Sequence, residues 1–225
     1  MQSIVPTTQI LKVLNWRYAT KSFDISKKLT DEQFNFVKEA MRLAPSSYGI
    51  QAWKFVEVKT FETRQKIKDI GWDQGQFVEA SSLFAFCSYI NPVENADQLV
   101  DKYIDELVSQ RNTPKESLKG YQDMMANAMK NGNTSGDPLY SPYWLDNQLY
   151  LALGQTMTAC ALAGIDTCAM EGFDVAKANE ILDLAKEGLR IKCFLAIGFR
   201  NTSDKYQPSI TKKVRNTESQ IFLER

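Results

Sequence analysis

The stretch Leu83–Ile90, "LFAFCSYI", sets the tightest limit on what this chain can become. Successive side chains of a strand point to opposite faces of a sheet, and here residues of both parities are apolar. Such a strand has to be covered on both sides. Thr167–Met170 and Arg190–Ile197 read as further strands, and Lys54–Lys59 ("KFVEVK") alternates like a half-buried one. The cover comes from helical patterns. Thr7 or Thr8 can cap a first helix with the stripe Ile10, Leu11, Val13 and Leu14, ending near Trp16. Thr30-Asp31-Glu32-Gln33 is a capping-box pattern that opens a second helix, with Pro45 as its stop.

Phe61–Ile70, Ala96–Arg111, Pro114–Asn131, Ser141–Leu162 and Val175–Leu184 complete the helical set. Gly71–Gly75 and the polar run Lys130–Pro138 read as loops. The most apolar run, Leu149–Ile165, is broken by Gln155, Thr156 and Thr158, so it reads as a buried core helix and not a membrane span. Strands separated by helices, with no dividing linker, give one domain over residues 1–225, α/β or α+β, whose central sheet is covered by helices. The tail beyond Arg200 reads as polar and extended. Its apolar end, Ile221-Phe222-Leu223, has to pack somewhere, and a partner subunit is one candidate.

Two features of composition narrow the function. Lys plus Arg equals Asp plus Glu at 27 each, which argues against general binding to nucleic acid or an anionic membrane and leaves a local basic pocket open. The chain contains no histidine, which removes Ser-His-Asp and Cys-His nucleophile systems and His-ligated zinc. Chemistry then falls to a carboxylate, lysine, tyrosine or a bound cofactor. Cys87, Cys160, Cys168 and Cys193 sit in apolar segments without metal-ligand spacing, as buried thiols of a reducing cytoplasm do. The N-terminal segment has no basic region followed by a continuous apolar one, so no signal peptide is read there.

Five polar clusters could carry chemistry. In "NWRYATKSFD", Arg17 and Lys21 follow an apolar helical run, either as a solvated basic helix end or as part of an anion site. "APSSYGIQAW" offers Ser46, Ser47, Gly49 and Gln51 after Pro45, as a plain turn or as contacts to a ligand. "GWDQGQ" offers Asp73, Gln74 and Gln76 in a glycine-flanked loop. "AMEGFD" turns from a strand ending at Met170 through Glu171 and Gly172 into a helix capped by Asp174, where backbone N–H groups can donate to a ligand. In "TKKVR", Lys213 and Arg215 lie on one side of an extended segment, a spacing that suits two cations on one phosphate.

In this order the clusters resemble the FMN-dependent nitroreductase family over nearly the whole chain. The match runs through "RYATKSFD", the "LT-x-EQ" helix start, "PSS-x-x-x-Q-x-W-x-F", "EASSLFAFC", "NQLYLALGQTMTACALAGID", "MEGFD", "FLAIGFR" and "KKVR". The resemblance implies an α+β fold with a mostly antiparallel sheet and a C-terminal arm exchanged in a homodimer. It implies that Arg17, Lys213 and Arg215 clamp the FMN phosphate and that Tyr18, Ala19 and Thr20 line the cofactor. Lys21 and Gln76 would face the pyrimidine edge, and Asp73 the ring edge or ribityl chain. Met170, Glu171 and Gly172 would lie at the flavin, with a backbone N–H aimed at N5. Pro45, Ser46, Ser47, Gly49 and Gln51 would serve the site of the opposite subunit.

Ala19, Asp73 and Gly49 depart from the serine, asparagine and asparagine common in the family. The activity implied is ping-pong hydride transfer from NADH or NADPH, through FMN, to a small nitroaromatic or quinone acceptor, with no catalytic side chain required. A segment from about Asp101 to Asn131 would shape the acceptor cavity. A flavin carrier without turnover, or a same-fold relative active in dehalogenation, azoline oxidation or flavin fragmentation, are the alternatives.

Overall fold

The computed structural model describes residues 5–91, 94–131 and 144–225. Most of the expected loop over Lys130–Pro138 and the expected helix start at Ser141 lie outside the described residues. Four strands form one sheet in the order β1-β2-β4-β3: β1 (Trp53–Glu57), β2 (Ser82–Tyr89), β3 (Asp166–Met170) and β4 (Leu189–Gly198). Every neighbouring pair is antiparallel. This decides between the two classes in favour of α+β.

Both faces of β2 are buried, as its apolar run demands. Leu83, Ala85 and Cys87 join Ile67 of α3 (Phe61–Ile70), Phe77 of α4 (Gln76–Glu79) and Ala178 of α8 (Val175–Ile181). Phe84 and Phe86 join Val37 and Met41 of α2 (Asp31–Arg42) and Leu149 and Cys160 of α7 (Trp144–Leu162). Strand β4 serves both faces through a bulge. Phe86 pairs with Cys193 but Cys87 pairs with Ile191, so Lys192 is the extra residue. The insertion reverses the phase of the strand. Leu189 and Ile191 therefore share a face with Phe194 and Ala196, while Cys193, Leu195 and Ile197 pack on the other. Helices α5 (Ala96–Arg111) and α6 (Lys119–Asn131) depart from the sheet and bury Leu99, Val100, Ile104 and Met125 with Trp144 and Leu145 at the start of α7. Among the described residues, no helix is long and apolar enough to cross a membrane.

Several local expectations need correction. Helix α1 (Thr7–Trp16) is not capped by Thr7 or Thr8; Pro6 holds the N-cap position, and its carbonyl accepts from Gln9 and Ile10. The α2 capping box forms as expected, with Gln33 N–H donating to Thr30 Oγ1 at 3.2 Å and Thr30 N–H to Gln33 Oε1 at 3.0 Å. The helix nevertheless ends at Arg42, before Pro45 is reached. Strand β1 stops at Glu57, two residues short of Lys59. Beyond Arg200 the tail turns repeatedly up to Ser203–Thr211 and carries a short helix, α9 (Glu218–Ile221).

Residues 17–24 are laid along the outer edge of β3. Ala19 bridges Thr167 in parallel, and Phe23 bridges Arg200. Arg200 donates to Asp166 and lies 4.6 Å over the Trp16 ring. Asp204, 3% exposed, accepts from the backbone N–H of Lys21 at 2.7 Å and of Ser22 at 3.2 Å. These ties bring the first and last parts of the chain to one edge of the sheet.

Candidate functional site

At that edge the tail is clipped onto the end of α1. Lys213 Nζ donates to Leu14 O and Arg17 O, both at 2.5 Å, and stands 4.9 Å over the Tyr18 ring. Tyr18 Oη donates to Thr211 O at 2.6 Å. The carbonyls at a helix C-terminus lack intrahelical donors and attract cations, but the cation on them is Lys213 and not the expected Arg17 or Lys21. Arg17 does not share that role: its guanidinium meets no acceptor and no carboxylate among the described residues.

Arg17, Lys213 and Arg215 are close enough to perturb one another. Burial, then repulsion from Arg215, holds the Arg17 guanidinium below its ordinary pKa. Burial, then Arg17, Arg215 and Arg200, holds Lys213 below the usual lysine range. No carboxylate lies within 4.0 Å of any of the three among the described residues. A cluster of cations left unneutralised in this way is built to receive an anion.

Next to the clamp, on β3, lies Cys168. Lys21 Nζ is 4.0 Å from its sulfur, and the Gln76 side chain lies near enough to act on the pKa of the same thiol. Gln76 is 4% exposed at the start of α4, a short helix that the loop reading of 71–75 did not anticipate. Thr20, wholly buried, donates its N–H to Thr167 O at 3.2 Å, and its Oγ1 has no partner among the described residues.

The turn after β3 is held from both sides. Phe173 packs 4.8 Å from Phe194, and Asp174 N–H donates to Ile70 O while its carboxylate caps α8 at Lys177 N–H. Gly172 O accepts from Gln74 Nε2 at 2.9 Å, whereas Gly172 N–H meets no acceptor among the described residues. A Cβ on Gly172 would lie 2.4 Å from the Trp72 ring, so a side chain there would displace that exposed indole. Trp72 and Asp73 adopt left-handed backbone (φ 56° and 55°), and Asp73 pairs with Lys68 at 2.6 Å instead of meeting the other site residues. Glu171 accepts a hydrogen bond from Tyr150 Oη of α7.

Residues 45–51 are elsewhere. They precede β1, the strand at the opposite edge from β3, and three strand spacings, about 14 Å, separate those two strands. Tyr48, Gly49 and Gln51 all have positive φ (57°, 72° and 45°). Ser46 Oγ accepts from Gln51 N–H at 2.9 Å, Ser47 N–H donates to Gln148 Oε1 at 2.7 Å, and Tyr121 Oη donates to Tyr48 O at 3.1 Å. Between this segment and α5 opens a cleft of about 690 Å³ bordered by Trp53, Tyr89, Tyr103 and Arg111. The chain thus gathers Arg17 to Lys21, Gln76, Met170 to Gly172, Lys213 and Arg215 toward the β3 edge, and leaves 45–51 out.

Cys168, Trp72 and Tyr150 are the residues that sequence reasoning missed. Each acts through a partner distant in the chain, and no local pattern marks such a contact.

Comparison with known proteins identifies the family and the fold. A sequence signature described as the nitroreductase family matches residues 14–199. A "putative NAD(P)H nitroreductase" of Staphylococcus saprophyticus is 34% identical over 224 residues, covering 94% of each chain. A nitroreductase-like protein of Streptococcus mutans has the same fold, with a TM-score of 0.81 at 19% identity over 98% of this chain and 100% of that one. So has a "putative nitroreductase" of Exiguobacterium sibiricum solved in complex with FMN, with a TM-score of 0.76 at 19% identity over 100% of this chain and 99% of that one. The matched span begins on α1 and closes with β4, enclosing the β3 edge and its turn, and on that evidence the chain belongs to the nitroreductase family.

Proposed function

We propose that the protein is an FMN-dependent oxidoreductase working as a homodimer. The observation that carries the reading is the clamp of Arg17, Lys213 and Arg215, gathered from remote parts of the chain and left without a carboxylate. A phosphate dianion fits that donor set, and each charge-assisted contact is worth about 1.5–3 kcal/mol. FMN, when bound, supplies hydride chemistry at N5, taking two electrons from NADH or NADPH and handing them to a flat acceptor such as a nitroaromatic or a quinone.

The chain's own part is to hold and orient. Tyr18, Ala19 and Thr20 line the phosphate and ribityl side. Lys21 and Gln76 stand at the pyrimidine edge, where a positive charge favours an anionic reduced ring. The unpaired N–H of Gly172 is free to donate to the cofactor, and Met170 and Glu171 frame it. Asp73 is tied to Lys68 and stays at the rim.

Two observations support a second copy. No residue of α1 is buried, and Leu11 stands 59% exposed. At the tail Phe222 and Leu223 are 69% and 79% exposed. In a dimer, residues 45–51 of one protomer complete the site of the other. The acceptor then enters beside α5 and α6, the segment expected to shape its cavity, and alternates there with NAD(P)H in a ping-pong cycle.

The test is an anaerobic titration of the purified yellow protein with NADH and NADPH. The flavin absorbance should bleach within the mixing time and return on adding nitrobenzoate or a quinone. Colour that persists under excess of both nucleotides rejects the enzyme reading and leaves a carrier.

A further inference from the structure

Cys168 holds a position that the reaction as described does not use. Its sulfur faces two groups from different elements, Lys21 at 4.0 Å and Gln76, which acts on its pKa. Cys168 is 1% exposed, and its S–H is directed at Ala169 O, 3.7 Å away. Lys21 has no carboxylate within 4.0 Å among the described residues. Thiol sulfur is a weak acceptor, so it can orient an ammonium without cancelling its charge, which a carboxylate at the same place would do. Burial raises the thiol pKa above the ordinary cysteine range, keeping it neutral where the protein works.

We propose that Cys168 is a positioning residue that fixes Lys21 and Gln76 at the pyrimidine edge and thereby raises the reduction potential of bound FMN. The inference rests on the FMN reading above. A thiol that merely filled the core would lower stability when removed and leave the potential alone.

The test measures the midpoint potential of FMN-loaded protein by dye equilibration for wild type, Cys168→Ala and Cys168→Ser. Cys168→Ala should weaken the preference for reduced over oxidised flavin about three- to tenfold. For a two-electron couple that is a shift of about 15–30 mV to more negative potential. Cys168→Ser, which keeps an acceptor, should recover most of it. Lys21→Met should shift the potential the same way, and its combination with Cys168→Ala should fall short of the sum, because the sulfur acts partly through that lysine. The Lys21→Met and Cys168→Ser measurements stand even if the alanine variant fails to fold. Loaded Cys168→Ala with an unmoved potential, or full additivity with Lys21→Met, overturns the proposal alone. Wild-type protein that takes up no FMN overturns the functional reading as well.

Discussion

Lys213 is pulled in two directions, and the conflict makes the site testable one residue at a time. Its ammonium caps α1 through two carbonyls while enduring the repulsion of Arg17 and Arg215. A cation whose pKa is lower folded than unfolded opposes folding while it is charged. That opposition is fully present below the folded pKa and fades as pH rises through it. Affinity for a phosphate runs the other way, since it needs the charge. FMN affinity should therefore fall on alkalinisation through a value below the usual lysine range, while the cofactor-free protein gains stability from this group over the same window. Titrating FMN release and cofactor-free melting against pH checks both signs. Arg17 gives a sharper case, because its guanidinium has no partner to lose among the described residues. Arg17→Met should leave the cofactor-free melting temperature equal or higher and weaken FMN about ten- to hundredfold, the worth of one charge-assisted contact. A melting temperature that drops would show that the guanidinium supports the fold. The grouping of Arg17 with Lys213 and Arg215 was expected from the family resemblance, since residue types alone left Arg17 between a helix end and an anion site. The place of Cys168 was not: only the pairing of Ala19 with Thr167 brings Lys21 beside that sulfur.

Elements repeat the pattern at larger size. Signals confined to a few neighbours were readable: the Thr30–Gln33 box, the span of α5 and the doubly buried β2 all stand where the sequence puts them. Features that depend on a partner strand or loop were not. The β4 bulge at Lys192 is written in the offset between β2 and β4, and a chain read alone shows only an apolar run there. Helix α4 is four residues long, too short to leave a periodic trace. The capping box supports a prediction independent of the cofactor. Thr30→Ala should cost about 1 kcal/mol and lower the melting temperature by about 2–4 °C in a chain of this size. Adding Gln33→Ala should cost little more, since the two side chains act as a unit. FMN loading should not change. A loss of flavin in Thr30→Ala would mean that α2 is coupled to the β3 edge by a path other than the sheet.

At the scale of the whole molecule, the question is why the residues expected at the cofactor lie at both edges of the sheet. The positive φ angles of Tyr48 and Gln51 are each strained for a side chain, yet α5, α6 and α7 hold the segment firmly. A conformation held against strain fits the proposed dimer, in which a second protomer brings the β3 edge to it. Gly49 tests this without touching the clamp, because its φ of 72° and the Tyr103 hydroxyl, 2.6 Å from where a Cβ would stand, leave no room for a side chain. Gly49→Leu should distort 45–51, and Arg17→Met combined with Arg215→Ala should empty the clamp, so each variant alone should purify colourless. Unfolded together at equal concentration and refolded, they should form hybrid dimers in which one site carries both defects and the other none. Random pairing restores about one site in four. FMN bound at that fraction, with NAD(P)H-driven bleaching in proportion, is the expected result. A site built within one chain would always keep a defect, so a colourless mixture would reject the shared site, and a yellow Gly49→Leu homodimer would remove 45–51 from it altogether.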